Sequence, residues 1–476
     1  MGYWASLISP GLTMSAAAPD PAPHASVDVL VIGGGACGAL VALHLLDTPG
    51  LRIALAEPRP LPARGAAYST PRGEHVLNVN AARMSAFDAA PGDFVNFLRT
   101  QPESAGLDEA ALAAWFAPRQ LYGRYLQARL DAHPAREGLT LLADAAVDVA
   151  REGSGFAVTF ASGRQVRAGN VVLAIGNLPA ALPGGGDVPG LVEAWDYAAV
   201  AAVPVDADVC IVGAGLSMVD VLLTLEANGH RGRIRALSRN GLMPLAHAPG
   251  TVPQPGGIDE LLPLGVRARM RLLRRWAAES VEEGRPWQDA LERLRPHVRA
   301  LWQAWPEAEQ RRFLRHAVRQ WDIHRHRIAP GVAATVDAMS KSGQFSLQAG
   351  RITAIAARDG RLHVDWTPRR GAPRSMSADV VINATGMEKR AARAPGALLP
   401  AMLSRGLVAA GPLGMGIATR GEGQVLGADG APVEGLWTLG ALRIGDLWET
   451  IAMPELRGQA ERVAAGISRG LGSAAA

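Results

Sequence analysis

Two glycine fingerprints, each placed directly after a short apolar run, constrain this chain more than any other feature. The first is Gly33-Gly34-Gly35-Ala36-Cys37-Gly38; the second, Gly213-Ala214-Gly215-Leu216-Ser217-Met218, begins 180 residues later. Before the first, residues 27–32 read as a buried parallel strand, and residues 39–46 after it read as a helix. In such a strand–turn–helix Gly33 makes the tight turn, Gly35 lets backbone approach a pyrophosphate, and Gly38 lets the helix pack close on the strand. The phosphates lie at the helix N-terminus, where free N–H groups and the dipole favour anions. A second strand, 52–56, ends at Glu57, the position of an acid that hydrogen-bonds ribose hydroxyls.

The second copy follows the strand pattern 208–212 and opens a helix at 217–225. Met218 replaces the third glycine, but Gly213 and Gly215 stay in place for a phosphate. The next strand, 233–237, ends in Ser238-Arg239, where a site selective for NAD would carry an acid. An arginine there suits a 2′-phosphate, so NAD(P)H is expected and NADPH is the sharper expectation. The alternative is that Arg239 is a solvated surface charge.

At 476 residues the chain has room for two or three domains. Net charge is +4, yet among 48 basic residues only Lys341 and Lys389 are lysines, and no arginine block alternates with stacking aromatics. No nucleic-acid partner is expected. The two cysteines, Cys37 and Cys210, sit one in each fingerprint and form no Cys-x-x-Cys pair. That argues against a disulfide framework or metal site, fits a reducing cytoplasm, and removes reductases that need a redox-active cysteine pair. Residues 1–26, rich in Ala, Pro and Ser, read as a disordered tail without a leader pattern, and Met14 is an alternative start. The apolar stretch 27–46 contains Asp28 and the glycine cluster, which suit a strand–turn–helix and not a membrane span.

The order of patterns predicts an α/β fold with two Rossmann-like dinucleotide-binding domains, the second inserted into the first, and a helical insertion. Expected boundaries are 27–204 for the first part of one domain, 205–385 for the second with helices at about 258–328, and 386–476 for the return. The strand ending Ala384-Thr385-Gly386 parallels Ala174-Ile175-Gly176, and such small endings suit crossings between nucleotide domains near bound cofactor. The run 435–440, ending at Gly440, and a helix near 454–465 would complete the first domain. Tryptophans 276, 287, 302, 305 and 321 are most simply core and interface residues of the insertion.

Between the first nucleotide unit and the first long helices lie Arg64-Gly65-Ala66-Ala67-Tyr68-Ser69-Thr70 and Asn78-Val79-Asn80-Ala81-Ala82-Arg83-Met84-Ser85-Ala86-Phe87. Amides, hydroxyls and an arginine without periodicity suit loops over a polar ring system, which makes Tyr68 and Asn78 cofactor candidates. These runs resemble those of bacterial FAD-dependent urate hydroxylases and aspartate N-monooxygenases that share an FAD/NAD(P)-binding domain. The resemblance continues through 118–125, 237–242, 321–330 and 445–450, so it covers about 27–465. It implies bound FAD, reduction by NAD(P)H, and use of O2 to hydroxylate a small polar substrate. Urate, in purine catabolism, is the leading expectation. An amino-acid or amine N-monooxygenase is the alternative, and an NAD(P)H oxidase or reductase passing electrons to a partner is another.

Arg83 is the loop arginine expected to touch flavin or substrate, unless it only bridges the loop. His324, Arg325, His326 and Arg327 match the family pattern, which implies that some of them, with His324, Arg325 and Arg327 the candidates, stand at the nicotinamide or substrate end of the cleft; the alternative is a basic helix C-terminus stopped before Pro330. Glu449 and Thr450 are expected to open the last helix with its N-terminus toward the flavin, or to cap it. Oligomeric state is left open by the sequence.

Overall fold

The computed structural model describes residues 26–182, 188–252 and 256–474, with side chains to 472. The expected tail and Met14 lie outside these residues, except Ser26, which opens the first strand. In chain order the strands are β1 (Ser26–Ile32), β2 (Ile53–Ala56), β3 (Leu139–Leu142), β4 (Ala146–Glu152), β5 (Gly155–Phe160) and β6 (Gln165–Leu173). Val29 to Ile32 and all four residues of β2 are buried, because helices cover one face and the β4–β5 hairpin with the 398–404 helix covers the other. Pairing of β1 with β2 and β6 is parallel, with Val29 opposite Ile53 and Asn170.

A second sheet is built from β7 (Leu191–Glu193), β8 (Val209–Val212), β9 (Ile234–Ser238), β10 (Phe345–Arg358), β11 (Arg361–Pro368), β12 (Arg374–Ala378) and β13 (Val380–Asn383), in the order β12-β11-β10-β9-β8-β13-β7. The chain then returns with β14 (Thr419–Arg420), β15 (Gln424–Leu426) and β16 (Pro432–Thr438) to the first sheet, whose main path is β14-β15-β16-β6-β1-β2-β3. The second unit is thus inserted into the first, as the strand pattern predicts.

The expected boundary at 204/205 falls too late. β7 already pairs in parallel with β13, so the chain has changed sheets before residue 191. Outgoing and returning connections lie side by side: Ala180 N–H donates to the Gly386 carbonyl (3.0 Å) and Glu388 N–H to that of Leu178 (2.8 Å). A three-residue edge strand carries too little periodicity to mark the change in sequence.

Between β9 and β10 lies the helical insertion, including Val266–Glu282, Gln288–Leu294, Val298–Gln303, Glu307–His316 and Val318–Arg325. It packs onto the return segment of the first domain, where Trp302 stacks on Trp448 at 5.0 Å and donates Nε1–H to the Gly445 carbonyl (2.8 Å). The last helix, Met453–Ala474, packs on Ala36–Leu46 through Leu456, Ala460, Val463 and Ile467. It does not open at Glu449 and Thr450 as expected. Thr450 Oγ1 donates to the Gly440 carbonyl (2.9 Å) and accepts from Gln459 Nε2 (3.0 Å), which ties residue 450 to the segment before it and to the second turn of the helix that starts three residues later. Among the described residues no helix is long and apolar enough to cross a membrane.

Candidate functional site

The two fingerprints fold alike. Gly33 has φ +102° and Gly213 φ +119°; a Cβ would lie 2.4 Å from the Ala174 carbonyl oxygen at one and 2.1 Å from that of Ala384 at the other. Each turn therefore requires glycine both for its conformation and for the contact with the strand that ends at the crossover. At Gly38 a Cβ would come within 2.0 Å of the Gly33 carbonyl oxygen, so helix and turn touch. Buried Met218 stands at the equivalent place in the second unit. Gly35 and Gly215 start the two helices without a side-chain cap, and space beside Gly215 is open to 4 Å. Both helix ends keep their N–H groups available to phosphate.

Around the first cradle, buried Glu57 accepts from the backbone N–H (3.1 Å), Nε (2.8 Å) and Nη2 (3.1 Å) of Arg59. Its two oxygens retain lone pairs that a ribose could use. Tyr68 packs on Tyr122 at 4.7 Å between ring centres, and Arg64 Nε is buried without a partner. Gly440 N–H donates to Gln459 Oε1 (3.1 Å), and a Cβ there would lie 3.1 Å from Cys37 Sγ. Burial pushes the Cys37 thiol up to about 12, so it stays protonated. An uncapped helix start, an acid at the end of β2 and an unsatisfied Arg64 donor fit a dinucleotide such as FAD. In the second unit Ser238 Oγ accepts from Gly241 N–H (3.1 Å), while Arg239 is exposed and among the described residues has no partner. Gly386 takes φ +89° at the returning crossover.

Where both domains meet the insertion, the fold gathers Arg83, Arg295, Arg325 and Arg327 with Glu292, Glu449 and Glu455. Arg83 donates Nη1 and Nη2 to Glu292 Oε2, both at 3.0 Å, and Arg327 Nη2 donates to Oε1 of the same carboxylate. Burial would raise the Glu292 carboxyl, but Arg83, Arg327 and Arg295 outweigh it and hold it down to about 2. Arg325 Nη2 stands 3.3 Å from Glu449 Oε2 and 3.7 Å from Glu455 Oε1, outside hydrogen-bond geometry. Trp321 Nε1–H donates to Glu449 Oε1 (2.9 Å).

Four cations face three anions, and among the described residues five buried guanidinium nitrogens make no hydrogen bond: Arg295 Nη2, Arg325 Nε and Nη2, Arg327 Nε and Nη1. The helix Val318–Arg325 links this cluster to the second fingerprint, because Arg319 near its start donates Nη2 to the Ala214 carbonyl (2.6 Å). Six residues of helix place the two ends roughly 9 Å apart.

Of the sequence candidates, Arg83, Arg325, Arg327 and Glu449 come together here, and Asn78 reaches the edge through its carbonyl, which accepts from His247 Nε2 (2.9 Å). His324 does not: its Nδ1 bonds the Gln320 carbonyl (2.7 Å) and its ring meets Trp287 edge-on at 5.1 Å. Successive helical residues point about 100° apart, so His324 and Arg325 cannot share a face. Arg295, Glu292, Glu455 and His247 escape a reading of the sequence, since nothing local marks a charged helical residue as buried.

Residues 30–178 match a family model described as FAD-NAD(P)-binding. Among solved structures the chain is similar to an ornithine N-hydroxylase from Kutzneria sp. 744 with reduced FAD, NADP+ and L-ornithine, at 14% identity and TM-score 0.65 over 94% of this chain and 100% of that one. It is similar to the reduced form of ornithine hydroxylase from Pseudomonas aeruginosa at 13% identity and TM-score 0.64, covering 94% and 100%. A third is the FAD-bound cadaverine monooxygenase of desferrioxamine biosynthesis from Erwinia amylovora, at 13% identity and TM-score 0.63, covering 93% and 94%. No curated protein matches the chain. The chain thus has the two-domain fold of FAD/NAD(P)-binding flavoproteins, and FAD and NAD(P)H are the cofactors of that fold.

Proposed function

We propose that this protein is a flavin-dependent N-monooxygenase that uses NAD(P)H and O2 to oxygenate the amine of a small carboxylate-bearing substrate. The observation that carries this reading is the cluster whose arginines outnumber its glutamates and keep five buried nitrogens without a hydrogen bond. Buried donors without partners cost about 1–3 kcal/mol each, more when charged, so an anion that satisfies them is strongly favoured. A carboxylate accepts such donors in pairs.

FAD, when bound, supplies the oxygen chemistry. Arg325, Arg327 and Arg295 hold and orient the substrate, with Glu292 fixing Arg83 and Arg327. The aromatic wall of Trp302, Trp305, Phe313, Trp321 and Trp448 keeps water from the insertion side. Gly35 and Glu57 serve the FAD pyrophosphate and ribose, the loops of Tyr68 and Asn78 border the flavin, and Arg239 reads a 2′-phosphate at the Gly213–Gly215 turn.

Thiol reduction is disfavoured, because Cys210 is buried in β8 of the other domain and cannot pair with Cys37. The ornithine and cadaverine enzymes that share this fold favour an amine over urate, although urate also carries charge that arginines would attract. The test is NADPH oxidation in air by the FAD-loaded protein with L-aspartate, L-ornithine, cadaverine or urate, following hydroxylamine, urate loss and peroxide. Hydroxylamine formed from L-aspartate or L-ornithine in step with NADPH use supports the proposal, and hydroxylamine from cadaverine alone keeps the N-monooxygenase but overturns the carboxylate. Coupled urate loss replaces it with urate hydroxylation, and peroxide alone with every substrate makes the protein an oxidase.

A further inference from the structure

His247 stands at the rim of the arginine cluster. Its backbone is docked beside Arg327, with N–H donating to the Ile328 carbonyl (2.9 Å), while its ring crosses to the first domain and lies 5.1 Å from that of Phe116. The Asn78 carbonyl bonded to Nε2 can only accept, so Nε2 carries the proton and Nδ1 presents a lone pair. Among the described residues Nδ1 has no hydrogen-bond partner, and it is not among the buried unpartnered atoms, so it faces accessible space. Burial, reinforced by Arg327 and Arg83 and opposed by the Asn78 hydrogen bond and Glu292, pulls the ring down to about 4 and keeps it neutral.

The other acceptors left without a hydrogen bond among the described residues of the cluster are carboxylate oxygens, Glu449 Oε2 beside Arg325 and both oxygens of Glu455, which is flanked by Arg295 and Arg325. An amine is oxygenated through its nitrogen lone pair. A carboxylate would favour the ammonium form, which has no lone pair, and an imidazolium would donate to the lone pair and block it. A neutral imidazole nitrogen instead binds an amine N–H and leaves the lone pair free.

We propose that His247 Nδ1 accepts a hydrogen bond from the substrate amine and so makes the site selective for an amine over its deamino analogue. This rests on the N-monooxygenase reading above. No proton is transferred to His247 in this role; it orients the nitrogen.

The experiment is calorimetric titration of the FAD-loaded protein, with NADP+ present, using L-aspartate and succinate, which share two carboxylates and differ by the amine. Wild type should bind L-aspartate about tenfold tighter than succinate, the effect of one hydrogen bond. His247→Phe should erase that preference and leave succinate within about twofold of wild type, while His247→Asn, whose Oδ1 can stand near the Nδ1 position, should restore part of it. FAD content and melting temperature report folding, and if the Phe variant loses FAD the Asn and Gln variants carry the comparison. A preference that persists in His247→Phe, or that disappears only in Glu455→Gln, overturns the role of His247. Equal binding of both probes to wild type does the same while leaving the carboxylate reading intact; where wild type binds neither, L-ornithine and its deamino analogue 5-aminovalerate replace them, and a wild type that binds none of the four overturns both.

Discussion

Arg119 and Asp220 are joined by two side-by-side hydrogen bonds, Nη1 to Oδ2 at 2.6 Å and Nη2 to Oδ1 at 3.0 Å, with their side chains only 11% and 12% exposed. They lie on the helices Arg119–Asp131 and Leu216–Ala227, one in each domain. Beside them, His75 bonds Thr70 on its own side and the Asp220 carbonyl and Thr224 hydroxyl across the seam. This polar seam sets how the second fingerprint faces the first.

Removing one partner should therefore cost more than removing both. Arg119→Leu or Asp220→Leu alone is expected to destabilise by about 3–5 kcal/mol through an uncompensated buried charge, and the double substitution by much less. Urea unfolding of the three variants measures this, and equal losses in all three would show that the pair stabilises through packing alone.

Gly35→Glu places a charged side chain at the helix start assigned to a pyrophosphate, where any Cβ would stand only 3.1 Å from the Gly65 Cα. Bound FAD should fall below about a tenth of wild type, because like charge at that helix end opposes the phosphates. Flavin absorbance relative to protein absorbance reads the outcome, and a fully yellow variant would move the FAD site elsewhere.

Arg239 is exposed and among the described residues has no hydrogen bond or ion pair, its charged neighbour being Arg319, which it repels, so truncating it should weaken no contact of the fold. Arg239→Ala is expected to raise KM for NADPH by about tenfold or more and that for NADH by less than about twofold, the loss of one charge-assisted contact to phosphate. Equal changes for both cofactors would remove Arg239 from 2′-phosphate recognition.

His247 is held neutral at a depressed value of about 4, against about 6.5 in an unfolded chain. With the folded value depressed, its contribution to stability is complete above about pH 6.5 and is lost as pH falls toward 4, because the unfolded chain takes up the proton first. His247→Gln should lessen the pH slope of unfolding free energy in that window by at most about 1.4 kcal/mol per pH unit. An unchanged slope between pH 4 and 6.5 would show that the ring titrates freely in the fold.

The parts of the site that are legible in the sequence are those made by neighbouring residues. Gly33, Gly35 and Gly38 act within one turn, and Glu57 ends the next strand, so their spacing already contains their geometry. Arg325 and Arg327 are marked by a run of basic residues, yet the same run draws in His324, which the helix turns toward Trp287. Thr450 reads as a helix start, although the helix begins at Met453 and Thr450 bridges Gly440 before it to Gln459 within it.

From sequence alone come the two nucleotide units, their order and the helices inserted after the second, because strand, turn and helix periodicities are local properties of the chain. The meeting of Arg83, Glu292, Arg325, Arg327 and Glu455 is decided only by tertiary structure. They come from three distant stretches of the chain, at residue 83, between 292 and 327, and at 455, and Glu292, Arg325 and Arg327 are buried together only because the domains and the insertion close around them. Burial is a property of that closure, and burial turns ordinary surface-type residues into a site with unsatisfied donors.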